Sequence, residues 1–191
     1  MLRLDDTILL VIDIQEPLFP KEGQAAELLV RNSRRLIQGC KTLSAPILVT
    51  EQYPQGLGGT HAPLLEHLEG VLKLPKLEFS CMANAPFRSA LEATGKNQLL
   101  VTGMETHVCV LQTILEAHQL GYEVFVVRDA VLSTLPEQHI AGLERIAHAG
   151  ATLVTTQMAL FELLRVAGTP LFKKMLPLLK EESPHDNTPE A

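Results

Sequence analysis

The chain has no excess of basic residues. Its 16 Lys and Arg stand against 22 Asp and Glu, a formal net charge of −6. Phosphate-backbone recognition needs cations gathered on one face, so no nucleic-acid partner is expected. No apolar run reaches membrane-spanning length, so no membrane partner is expected either. The opening stretch, MLRLDDTILLVIDI, carries aspartates and no small-residue cleavage site, and it reads as a strand rather than a signal peptide. Cysteine is sparse and odd in number: Cys40, Cys81 and Cys109. That set argues against a disulfide scaffold and for a reducing cytoplasm. With no C-x-x-C spacing, a structural zinc site is not expected. A G-x-G-x-x-G phosphate loop does not follow the first apolar run, which excludes the dinucleotide-binding signature, and no cofactor is expected. There is no internal repeat and no composition break that would mark a second domain.

What is present is an alternation of strands and helices over most of the 191 residues. Short apolar, β-rich runs occur at 7–14, 46–50, 71–79, 99–102, 123–127 and 151–155, the signature of strands buried on both faces. Helical spacing lies between them: 25–43, 62–68, 86–94, the stretch after Gly103, 136–149, 156–164 and 170–179. Such alternation predicts right-handed βαβ units, hence an α/β single-domain doubly wound parallel sheet of six strands flanked by helices. The domain is expected over residues 1–180, with 181–191 (EESPHDNTPEA) a polar, disordered tail. In the order 3-2-1-4-5-6, strands one and four are neighbours at the switch point, where ligands bind at the carboxyl ends.

Three chemically capable residues fall at or near those ends: Asp13 after the first strand, Lys76 in the third and Cys109 after the fourth. Cys109 follows NQLLVTGMETHV, so it lies in the first turn or two of a helix, where the unpaired N–H groups favour an anion. A thiol so placed is expected to be driven toward thiolate, with a buried structural cysteine as the alternative. Asp13 can take the thiol proton, and Lys76 can hold Asp13 and lower the thiol pKa. His107, two residues before Cys109, offers a competing Cys–His dyad. Cys40 sits on a helical apolar stripe and reads as core; Cys81 either lines the pocket or packs as an inert thiol. Gln15, Phe19 and Tyr53 are candidate substrate-binding residues of the pocket wall.

D-x-Q after the first strand, a lysine preceding F-S, and G-M-E-T-H-V-C-V together resemble the isochorismatase-like cysteine hydrolase family. TEQYPQGLG and KLEFSCM are similar to its subgroup of unassigned substrate, and the resemblance covers about residues 8–154. It implies a six-stranded parallel sheet and an Asp-Lys-Cys triad falling on Asp13, Lys76 and Cys109. It also implies a non-proline cis peptide just before Glu105, with the backbone N–H groups of Glu105 and Cys109 as an oxyanion hole. The implied reaction is attack on a small amide through a thioester. Nicotinamidases of this family carry an Asp and His metal cluster after the second strand. Here that loop is EQYPQGLGGTH, with only Glu51 and His61 as possible ligands, so no metal is expected. Isochorismatases proper cleave a vinyl ether and lack the nucleophilic cysteine, which this chain has.

Two other classes stay open beside the hydrolase: a non-catalytic scaffold that kept the fold, and a thiol redox protein using Cys109. A homo-oligomer, dimer or larger, is expected from apolar residues beyond one stripe: Leu111, Ile114, Leu115, Leu120, Ile140, Leu143 and Ile146, with Leu171, Phe172, Leu176 and Leu179 near the end. Relatives of the family commonly form dimers, tetramers or octamers. The loop sequence makes one expectation testable at once: turnover of amide substrates should survive chelator treatment. Metal analysis of the purified protein before and after treatment checks this, and stoichiometric zinc or iron tied to activity would overturn it.

Overall fold

A computed structural model describes residues 1–180, so the tail expected over 181–191 lies outside the described residues. The strands are β1 (Thr7–Ile12), β2 (Ile47–Gln52), β3 (Lys73–Lys76), β4 (Gln98–Met104), β5 (Glu123–Leu132) and β6 (Thr152–Val154). They form one parallel sheet in the order β3-β2-β1-β4-β5-β6, the doubly wound order anticipated from the sequence.

The helices are α1 (Ala25–Leu43), the short α2 (Pro54–Leu57) and α3 (Ala62–Leu65), α4 (Ala85–Ala93), α5 (Leu111–Gln119), α6 (Pro136–His148), α7 (Thr156–Leu164) and α8 (Pro170–Leu179). The two-residue period of β1 sorts its side chains onto two cores. Leu9 and Val11 join α1, α7 and α8 through Leu36, Ile37, Leu160 and Met175. Ile8, Leu10 and Ile12 join α4, α5 and α6 through Phe87, Ile114 and Ile146. Every residue of β1 is buried, which is why its sequence is almost wholly apolar.

Three boundaries differ from the sequence reading. β3 is shorter than the extended run expected over 71–79 because it pairs only with β2 at the sheet edge, and Pro75 has no N–H to donate there. β5 continues past Val127 to Leu132, because a register shift between Val101 and Gly103 brings Gly103 opposite Val131 and Met104 opposite Leu132. The helix expected directly after Gly103 starts later. β4 runs to Met104, Thr106–Val110 forms a wide π turn, and α5 begins at Leu111. Cys109 therefore sits in the π turn rather than in the first turn of a regular helix.

The apolar residues expected at an oligomer interface differ in burial, several of them being only partly covered. Leu111, Ile114, Ile146 and Leu179 are buried within the chain itself, whereas Leu120 and Ile140 remain more than half exposed. No helix among the described residues is long and apolar enough to cross a membrane.

Gly103 is a requirement of this arrangement. Its φ is +140°, and a Cβ there would lie 2.1 Å from the carbonyl oxygen of Ile12 on β1. Gly103→Ala should therefore destabilise the fold by about 3 kcal/mol or more, the range of a backbone clash in a packed core. Urea denaturation measures this, and a loss under about 1 kcal/mol would show that the two strands can part without penalty.

Candidate active site at the carboxyl end of the sheet

Asp13 is the first residue beyond β1 and adopts a left-handed backbone conformation (φ 50°), which aspartate tolerates better than most residues. Its main chain is held by Asp13 N donating to Thr50 O at 3.1 Å and by Gln15 N donating to Asp13 O at 2.9 Å. Its carboxylate is fully buried: Thr50 Oγ1 donates to Oδ1 at 2.7 Å, and Lys76 Nζ lies 2.7 Å from Oδ2. Lys76 reaches Asp13 across β2, whose Gln52 is its register partner. The ammonium also donates to Gln52 Oε1 at 2.5 Å and to the carbonyls of Glu78 and Phe79, both at 3.2 Å. An ion pair removed from water is viable only with its remaining donors and acceptors satisfied, and these bonds do that.

Cys109 completes the cluster. It is 4% exposed, its Sγ stands 3.8 Å from Gln52 Oε1, and the Asp13 charge acts on its thiol. Thr113 Oγ1 donates to Cys109 O at 2.7 Å and accepts from Cys81 N at 2.9 Å, which ties the π turn to the segment after β3. The Met104–Glu105 peptide that leads into the turn is cis. The arrangement thus gathers a thiol, a carboxylate and a cation that fixes the carboxylate, groups chemically able to serve as nucleophile, base and orienting charge.

Sequence comparison places this geometry among known proteins. The isochorismatase domain profile matches residues 7–158. The chain belongs to the isochorismatase-like hydrolase family. It is 34% identical over 181 residues to a secreted isochorismatase effector of Phytophthora sojae, covering 92% of this chain and 85% of the effector. A solved structure described as MAR1 ribonuclease from Caenorhabditis elegans superposes with a TM-score of 0.86 at 32% identity, covering 100% of this chain and 98% of that one. YcaC from Pseudomonas aeruginosa, solved with covalent acrylamide, gives a TM-score of 0.82 at 26% identity over 93% of this chain and 90% of its own. The Escherichia coli YcaC gene product, described as an octameric hydrolase of unknown specificity, gives 0.78 at 27% identity over 86% and 82%.

Within this isochorismatase-like frame, the electrostatics overturn one expectation. The Cys109 thiol is not driven toward thiolate: burial, then the negative charge of Asp13, push it up to about 12, and Lys76 only partly opposes them. Lys76 and Asp13 neutralise one another, so a thiolate would add an unbalanced buried charge. Burial alone would lower the Lys76 ammonium, but Asp13, Cys81 and Cys109 outweigh it and hold its pKa above the ordinary lysine value.

The candidate pocket-wall residues fare differently from one another. Gln15 is fully buried, and its amide binds the chain: Nε2 donates to Gln52 O at 3.0 Å and to Gly58 O at 2.6 Å, while Oε1 accepts from Gln52 N at 2.8 Å. It braces the loop after β2 instead of presenting itself to a ligand. Phe19 packs edge-on against His61, ring centres 5.0 Å apart, and lines an open groove of about 820 Å³ beside the start of α1. Asp13, Lys76 and Cys109 do not border that groove. Tyr53 is half exposed, with its ring lying over Gly56. His107 Nδ1 is engaged by Ser133 Oγ at 3.0 Å and lies 3.3 Å from Glu105 Oε2, contacts that turn it to the β5–α6 loop. Cys81 is wholly buried, its Sγ 3.8 Å from Thr50 Oγ1. Glu51 Oε1 accepts from Thr60 N and Thr60 Oγ1, at 2.8 and 2.7 Å, so it already braces its loop. Among the described residues no group of three or more His, Cys, Asp or Glu is arranged to hold a metal ion.

Thr50, Gln52 and Thr113 are site residues that the sequence reading did not single out. The signal for two of them was present: in the strand ILVTEQ, Thr50 and Gln52 are two apart and so share one face.

The three buried thiols make stability depend on pH in a defined direction. Burial is the first cause in each case, raising Cys40 to about 12, Cys81 to about 11 and Cys109 to about 12, from an ordinary value of 9.0. As pH rises past 9 the unfolded chain releases these protons while the folded chain keeps them, so folding stability is lost. One unit above the unfolded value, each thiol has removed roughly 1.4 kcal/mol. Urea denaturation between pH 8 and 10.5 should show the decline, and Cys40→Ala should remove about a third of it. A profile flat across that range would contradict the assignment.

Proposed function

We propose that the protein is a cysteine hydrolase acting on a small C–N substrate of amide type, with Asp13, Lys76 and Cys109 as its catalytic residues. The observation that carries this reading is a buried thiol 3.8 Å from Gln52 Oε1, the atom that also accepts from the Lys76 ammonium, which clamps the Asp13 carboxylate at 2.7 Å, all at the carboxyl end of a parallel sheet. The P. aeruginosa YcaC structure holds covalent acrylamide, which is consistent with a reactive nucleophile on this fold.

The neutral resting thiol sets the order of proton movements. As Cys109 Sγ bonds to the carbonyl carbon, its proton passes to Asp13, so no free thiolate need accumulate in the buried site. The carbonyl oxygen becomes an oxyanion facing the backbone N–H groups of Glu105 and Cys109. Collapse breaks the C–N bond, and protonated Asp13 gives its proton to the departing nitrogen. A thioester remains. Water then attacks it, Asp13 takes a proton from that water, the S–C bond breaks, and the thiol regains a proton as the acid leaves. Lys76 takes no part in the bond changes; it keeps Asp13 in place and stabilises it whenever it is a carboxylate.

The name of the C. elegans neighbour raises a ribonuclease reading. A formal net charge of −6 opposes it, since RNA binding relies on clustered cations. We assign a reducing compartment on the three unpaired, buried cysteines.

A screen of small amides and ureides against wild type and Cys109→Ala tests the reading. Cys109→Ala and Asp13→Asn should each lower kcat by about a thousandfold or more, while Cys40→Ala and Cys81→Ser should stay within a few fold. If Cys81→Ser alone were inactive yet folded, the nucleophile would be misassigned. If no amide or ureide were turned over by the folded wild type, a non-catalytic scaffold would be the better description. Reversible loss of a thiol on mild oxidation would favour a redox protein.

We also infer self-association, motivated by exposed Leu120 and Ile140 and by the octameric E. coli neighbour. Light scattering coupled to gel filtration should give a mass at least twice the 21.0 kDa of one chain, and a single-chain mass across micromolar concentrations would refute this.

A further inference from the structure

Gln52 ends β2 and is buried between the two reactive groups. Its Oε1 accepts from Lys76 Nζ at 2.5 Å and lies 3.8 Å from Cys109 Sγ, within reach of the thiol proton. Its Nε2 donates to Leu77 O at 2.9 Å. That bond fixes which way the amide faces. Turned over, it would aim an NH2 group at an ammonium and a carbonyl oxygen at a carbonyl, so only the oxygen-inward orientation satisfies both ends. The main chain is fixed as well, because Gln15 accepts from Gln52 N and donates to Gln52 O.

We propose that Gln52 is a positioning residue of the site, its amide oxygen holding the Lys76 ammonium in place and giving the resting Cys109 thiol a neutral acceptor beside Asp13. The proposal rests on the reading of Cys109 as nucleophile and Asp13 as its base. Residue type matters here. The thiol that donates to Gln52 turns about its Cβ–Sγ bond to donate to Asp13, and the proton leaves for Asp13 as the sulfur bonds to carbon. Gln52 takes no proton at any stage. A carboxylate in its place would set a second negative charge against one lysine and the thiol. An apolar side chain would leave the thiol one acceptor fewer and Lys76 with Asp13 and two backbone carbonyls.

These alternatives have opposite electrostatic signatures. Gln52→Glu stabilises the protonated thiol, so the midpoint of its ionisation should rise. Gln52→Met removes both the acceptor and its dipole, so the midpoint should fall. The experiment is the rate of Cys109 alkylation by iodoacetamide in the full chain from pH 6 to 10.5, located by peptide mass mapping, with thermal unfolding measured alongside; this range lies below the wild-type midpoint, so a shift in midpoint is read as a proportional change in rate at each pH. Gln52→Glu is expected to alkylate about tenfold more slowly at pH 8, which corresponds to a rise of about one pH unit in the midpoint. Gln52→Met is expected to shift the profile the other way. A purely structural role would lower the unfolding temperature and leave both midpoints at the wild-type value, and that result overturns the proposal. Should Gln52→Glu fail to fold, Gln52→Met decides alone: a lowered midpoint supports the proposal, and an unchanged or raised one overturns it. Asp13→Asn and Lys76→Met separate the two levels of inference. If they move the midpoint and the Gln52 variants do not, the role of Gln52 falls while the hydrolase reading stands; if none of the four moves it, both fall.

Discussion

The ion pair between Asp13 and Lys76 is the interaction on which the rest of the site depends. Both side chains are fully buried, and neither is tolerable there alone. Leaving one member of such a pair unpaired costs about 3–5 kcal/mol, so the surrounding structure has to supply both at once. It does so with the ends of three adjacent strands. β1 delivers the carboxylate, β3 delivers the ammonium, and β2 between them supplies Thr50 and Gln52 to satisfy what the pair leaves over. The apolar strands beneath are what make the location dry, and dryness is what gives the pair its strength.

The same dryness sets the state of the Cys109 thiol. A thiol beside a lone lysine would lose its proton readily; beside a lysine already neutralised by Asp13 it keeps the proton, up to about 12. The site therefore keeps Cys109 as a neutral thiol, and the proposed mechanism pairs its activation with proton transfer to Asp13. Placement of the thiol is the task of backbone features that are not chemical themselves. Gly103 lets β4 pass against Ile12, the register shift extends β5, and the wide turn over Thr106–Val110 carries Cys109 to the mouth of the sheet. Thr113 then locks the turn to Cys81 from the other side.

Much of this was legible in the sequence, for a physical reason. Strands buried on both faces must be apolar along their whole length, and helices covering them must show an apolar stripe, so TILLVIDI, PILVT and NQLLVTGM announce themselves. Their alternation with helices fixes a parallel sheet, and a parallel sheet places chemistry at its carboxyl edge. Asp13, Lys76 and Cys109 stand out because charged and nucleophilic residues at the ends of such strands are rare unless paired or used.

What the sequence could not supply were quantities that depend on neighbours distant along the chain. Gln15 and Gln52 look alike as letters, yet one is consumed by backbone bonds and the other faces the lysine and the thiol, a difference made by which strand lies beside each. Helix position and Lys76 suggested a thiolate at Cys109; burial and Asp13, 96 residues earlier, reversed the sign. Phe19 fell on a groove that the three central residues do not border because the loop after β1 folds toward α1 and His61. Local pattern determined the elements, their order and the edge of the sheet where chemistry gathers. Only the packed structure decided protonation, side-chain partners and who faces the site, because electrostatics and hydrogen bonding act through space and the chain reveals only its own order.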